Sequence, residues 1–208
     1  MVWGIPPSAS RAPSGGRLRL LWRLAGAMLL LCIASSQALA HDHGRRGHDH
    51  AGERGPYGIK ADYLAKFTPF VTWPESAFEG PTSPFRLCIG GYDPFGRLID
   101  RVTLGRRVGE HPIVVVRLQA VTKAAECHML FVSASRAQPP SQMFAAVAGY
   151  PVLTVADETL EAPEAMIQFV TVEGRVRFDI RSDAAQAQGL TLSSKLQSLS
   201  VSPRGGPR

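Results

Sequence analysis

Cysteine is scarce, with three in 208 residues and no C-x-x-C spacing among them, which argues against a catalytic thiol redox centre. No block of Lys and Arg interleaved with aromatics occurs, so nothing suggests nucleic acid. Past the first 40 residues no run is long and apolar enough to cross a membrane. There is no G-x-S-x-G turn to present a serine nucleophile. The glycines of GGYDPFG (90–96) fit neither G-x-G-x-x-G nor the P-loop spacing, and no lysine follows to meet a phosphate; they read as turn glycines before a capped helix. His111 and His128 have no partner in view, and Asp93, Asp157, Glu161, Glu164 and Asp179 are scattered. The expectation is a protein without catalytic residues and without a cofactor.

What is present begins with an address. Arg11, Arg17, Arg19 and Arg23 precede an apolar run from Leu24 to Ile33, and Ala38-Leu39-Ala40 supplies a small-x-small cleavage pattern. Residues 1–40 therefore read as a secretory signal peptide, cut after Ala40, and the mature protein is expected to be exported. The leader holds four Arg and no acid, so 19 basic residues remain against 17 acidic ones and the formal excess falls from +6 to +2. The basic pI is mostly a property of the leader.

Two cysteines survive cleavage, Cys88 and Cys127. In an oxidising compartment an even pair is usually bridged. A bridge here closes a loop of about 40 residues, worth roughly 4 kcal/mol in chain entropy. Two separate buried thiols are the alternative. Residues 41–56, HDHGRRGHDHAGERGP, are rich in Gly, His and charge and read as a flexible lead-in. After cleavage its first residues are His41, Asp42 and His43. A free amino group, two amides and a third-position imidazole can hold Cu(II) or Ni(II) in a plane, with His48 and His50 as weaker ligands. A solvated polar linker is the competing reading.

The rest, 57–200, reads as one domain. In IKADYLAKFTPFVTWPESAF (59–78) the residues Ile59, Tyr63, Phe67, Phe70 and Val71 predict the buried stripe of a helix, shortened at Pro69 and stopped at Trp73-Pro74. FRLCIGG predicts a strand, and Asp93-Pro94 a helix start running to about Val102. HPIVVVRL, with β-branched residues from Ile113 to Val116, predicts a strand buried on both faces. A short helix at 121–126, a strand in HMLFVS, a helix after Pro139-Pro140 and a strand in YPVLTVAD follow. MIQFVTVEGRVRFDI predicts a hairpin turning at Glu173-Gly174, with Arg175, Arg177 and Asp179 on a wet face. Ser182-Asp183 caps a short helix ended by Gly189, and Leu192, Leu196 and Leu199 predict a final amphipathic helix. Residues 201–208 form a tail with too little apolar content to pack. The fold class expected is α/β: a three-layer α/β/α sandwich with a mostly parallel sheet and an antiparallel edge hairpin.

Six pieces in order, IKADYLAKFTPFVTWP, FRLCIGGYDPFG, ECHMLFVSAS, PVLTVAD, RVRFDI and GLTLSSKLQSLS, make residues 58–200 resemble the YfiR family of periplasmic proteins. The resemblance implies a compact α/β/α domain, often dimeric and without catalysis, that represses an inner-membrane diguanylate cyclase by binding its sensory region. It also implies sequestration by an OmpA-like outer-membrane lipoprotein, and a disulfide at the positions of Cys88 and Cys127. Pro69, Glu164-Ala165 and Arg181 depart from the family pattern, and a second cysteine pair is missing. No partner-binding residue is transferred. An exported small-ligand or metal-binding module is the alternative function.

Overall fold

The computed structural model describes residues 55–201 and 203–204. The leader, most of the lead-in with His41, Asp42 and His43, and the last residues of the tail lie outside the described residues. Helix α1 (Pro56–Phe67) ends where the chain meets Pro69, and a 3₁₀ turn, Thr68–Phe70, leads into the two-residue strand β1 (Val71–Thr72). Thr68 keeps helical torsions, but Pro69 has no N–H to return to the preceding turn, so the α ladder stops and the chain tightens into 3₁₀.

Strands β2 (Phe85–Gly90), β3 (Arg107–Val108), β4 (His111–Leu118), β5 (Met129–Val132), β6 (Leu153–Ala156), β7 (Ile167–Val172) and β8 (Arg175–Arg181) build the main sheet, joined late by β10 (Pro203–Arg204). Its order is β10-β8-β7-β6-β5-β2-β4-β3. The five strands β4-β2-β5-β6-β7 are mutually parallel, in a doubly wound order that starts at β2, steps out to β4 and then reverses to β5. Helix α2 (Arg97–Thr103) makes the first crossover and α3 (Pro140–Val147) the crossover from β5 to β6, on opposite faces, as right-handed connections require once the direction reverses. Among the described residues antiparallel pairing is confined to β7–β8, β3–β4 and a separate two-stranded sheet in which β1 meets β9 (Thr191–Leu192). This is the expected α/β architecture.

The larger core lies between the sheet and α1, α2, α4 (Ser182–Ala187) and α5 (Ser194–Gln197); the smaller lies under α3. Rings seat α1: Phe67 and Tyr63 meet Phe178 edge-on, with centroids 5.0 and 5.3 Å apart. The hairpin turn is Glu173-Gly174, both at positive φ, between the paired residues Val172 and Arg175.

Four local expectations change. The α1 stripe is rotated: Ile59 is 42% exposed, whereas Lys60, Ala61, Leu64 and Phe67 are buried. Asp93 caps a turn and not a helix, its Oδ1 accepting from Phe95 N (2.8 Å) and Gly96 N (3.1 Å), and α2 begins at Arg97. Strand β4 is only half-buried, because β3 covers just its first two residues on the outer side and Val114 is exposed. The last helix spans four residues; Leu192 sits in β9 and Leu199 faces solvent. Leu192 is claimed by its pairing with Val71, which ties the C-terminal segment to the start of the domain.

Candidate functional site at the carboxyl edge of the sheet

In an open doubly wound sheet the loops diverge at the carboxyl ends of the strands, and polar side chains gather there. Here α1 lays Lys60, fully buried, against the end of β6. Its Nζ donates to Asp157 Oδ1 (2.6 Å) and Glu158 Oε1 (3.0 Å). Tyr57 OH (3.1 Å) and Thr159 Oγ1 (2.9 Å) donate to Asp157 Oδ2, and Thr171 hydrogen-bonds Glu158. Gln168 Nε2 donates to the Asp157 carbonyl at 2.7 Å. The ammonium also lies 4.3 Å from the Tyr57 ring centroid. Burial, and then the Asp157 charge, push the Tyr57 phenol up to about 12, so it stays a neutral donor. Both carboxylates and the ammonium are spent on one another. Lys60 therefore cannot reach a substrate, and the cluster fastens α1 to the sheet.

A second ionic group closes the end of β4. Arg117 donates from Nε to Asp93 (2.7 Å) and from Nη2 to Asp100 (2.7 Å) and the Gly96 carbonyl (2.6 Å). The hydrogen bond from Arg117 holds the Asp100 carboxyl below its ordinary range, against a smaller opposing effect of burial. Two clefts open beside these groups. One, of about 600 Å³, is lined by Gly91, Tyr92, Gln119 and residues 134–137. The other, of about 540 Å³, lies by the β6–β7 loop and includes Glu158, Glu161, Asp179 and Arg181.

The amino edge holds the cysteines and histidines. Cys88, in the middle of β2, is joined to Cys127, just before β5, with Cα atoms 5.8 Å apart. His128 is buried beside Phe78 and Phe85 (ring centroids 4.7 and 5.1 Å); its Nδ1 accepts from Arg86 N and its carbonyl accepts from Trp73 Nε1, both at 3.0 Å. His111 stacks on the other side of this group, against Phe78 at 3.6 Å. Burial pushes His128 down to about 4; His111 and Arg86 add to the fall, and the Ala77 carbonyl and Glu79 oppose it. The unfolded chain takes up this proton near pH 6.5 and the folded chain only near pH 4. Stability from this residue is complete above pH 6.5 and drains as the pH falls toward 4, by roughly 2–3 kcal/mol. Urea unfolding between pH 7 and 4 should show that slope in the native protein and a much flatter one in His128→Asn; equal slopes would exclude the assignment.

Of the carboxylates noted in the sequence, Asp93 and Asp157 enter the two ionic groups, and Glu161 and Asp179 line one cleft. Among the described residues no group of three or more His, Cys, Asp or Glu side chains could hold a metal, and no helix is long and apolar enough to cross a membrane. A family model described as YfiR/HmsC-like matches residues 57–201, well over half of the chain. The chain belongs to this family. No curated protein matches it.

The YfiR/HmsC-like match takes in all but the first residue of α1 and runs to residue 201, so both ionic groups and the Cys88–Cys127 bridge lie within the family domain. The Lys60 cluster escaped sequence reasoning because its members lie about 100 positions apart. The one available signal was a lysine in phase with Leu64 and Phe67, which a helical wheel places on the apolar face.

Proposed function

We propose that this protein is a periplasmic regulator that inhibits an inner-membrane diguanylate cyclase by direct contact with its periplasmic sensory region, lowering cyclic di-GMP. Membership of the YfiR/HmsC-like family over residues 57–201 carries the reading. The carboxyl edge supports it, since Lys60, Asp157, Arg117, Asp93 and Asp100 pair with one another and are not held ready for chemistry. An OmpA-like outer-membrane lipoprotein that sequesters the regulator, and a homodimer, belong to the same proposal. Tagged mature protein incubated with detergent-solubilised membranes should retain a diguanylate cyclase, and deleting the gene should raise cyclic di-GMP several-fold. An unchanged nucleotide level with no cyclase retained would overturn the proposal.

A further inference from the structure

The chain reverses direction across the sheet between β2 and β5, and the 600 Å³ cleft opens at the carboxyl ends of these two strands. This is the point where an open α/β sheet has a ready crevice, and the volume falls within the range of small-molecule sites. Its rim is held in place. Tyr92 N donates to the Ala134 carbonyl at 2.9 Å, and the Ser133 hydroxyl donates to the Tyr92 carbonyl. Gly91 sits at φ 88°, where a Cβ would come within 2.7 Å of the Ser133 carbonyl oxygen. The β2 and β5 loops are thus knitted into one preformed wall.

Two side chains on that wall have no structural employment. The Tyr92 ring is 71% exposed, a large apolar surface to leave in water. Arg136 makes no ion pair or hydrogen bond among the described residues, through either its guanidinium or its main-chain N–H. Among the described residues no carboxylate lines the cleft, and the adjacent Asp93 is committed to Arg117 and to two backbone amides. The charged group lining this cleft among the described residues is therefore a cation, whereas the cleft by the β6–β7 loop carries three acidic residues beside Arg181.

We infer that the cleft at the β2/β5 switch point binds a small anion, carboxylate or phosphate, carried on a planar ring. Arg136 takes the anion through its guanidinium and N–H, and Tyr92 stacks on the ring. Gln119 supplies a polar group on the opposite rim. Occupancy requires no cyclase, so this site and the regulatory reading stand or fall separately.

Titrating the purified ¹⁵N-labelled chain with benzoate, phenyl phosphate and inorganic phosphate tests the site. Benzoate or phenyl phosphate should shift the amides of Tyr92, Ser135 and Arg136 saturably, with a Kd of about 1 mM or below. Whichever of the two binds more tightly identifies the anion. Arg136→Gln should weaken binding about tenfold and Tyr92→Ala about fivefold, with unfolding midpoints unchanged because both side chains are solvent-facing. No localised shift up to about 10 mM, native-like binding by Arg136→Gln, or inorganic phosphate binding as tightly as phenyl phosphate would each overturn the inference.

Discussion

Replacing Lys60 with methionine should cost the fold about 3–5 kcal/mol, although the volume hardly changes. Asp157 is 1% exposed, and its Oδ1 receives the Lys60 ammonium at 2.6 Å. Without that cation a carboxylate stays buried on the remaining hydrogen bonds from Tyr57 and Thr159, neither of which carries charge. Removing one member of a buried pair leaves the desolvation cost of the other uncompensated, and that cost is what the experiment reads. The double variant Lys60→Met with Asp157→Leu removes both charges and should recover at least about 2 kcal/mol of the loss, the sign of a coupled pair. Urea unfolding of the native protein, both single variants and the double variant at pH 7 gives the cycle. A loss below about 1 kcal/mol for Lys60→Met would mean that water reaches Asp157 and that the cluster does not fasten α1.

The same residue shows why the fold was easier to read than the site. The alternation of short apolar runs with helical patterns established a parallel sheet, because each run had to be buried and each helix had to cross back. The Glu173-Gly174 turn was legible because two residues between alternating strands admit few backbone solutions. The phase of α1 was not. Ile59, Tyr63 and Phe67 made one plausible stripe, and Lys60, Leu64 and Phe67 make the one that is used. A lysine is a poor candidate for burial until its counter-charge is known, and Asp157 lies 97 residues away in sequence. The burial of strand β4 is illegible for a related reason: a β-branched run records high strand preference, whereas burial depends on having a neighbour on each side, and β3 is too short to provide one.

Residues meeting across the carboxyl edge could not be read from spacing either. Asp93, Asp100 and Arg117 come from a loop, a helix and a strand, and they meet only because β4 lies beside β2. Tyr92 and Arg136 are ordinary loop residues in the sequence, and the sheet reversal alone brings their loops together. In this domain the elements were written locally, and the candidate sites were written by topology.

The cysteine pair spans both kinds of information, and its removal is the second large effect expected. Cys88 and Cys127 are 39 positions apart, and the segment between them holds α2, β3 and β4, an entire edge of the sheet. Cutting the bridge frees that loop in the unfolded chain, which chain-entropy arithmetic values at roughly 4 kcal/mol. Folded domains of this size have only about 5–15 kcal/mol to lose, so the reduced protein should be marginal. Cys88→Ala with Cys127→Ala is the cleaner comparison, since serine would bury a hydroxyl beside Leu130 and Val147 beneath α3. The urea midpoint should fall sharply in the double variant and by a similar amount when the native protein is reduced with dithiothreitol, while reductant leaves the double variant unchanged. Thiol titration of the denatured native chain reports whether reduction was complete. A midpoint that stays put after verified reduction would show that packing under α3 holds β2 to β5 without the bridge.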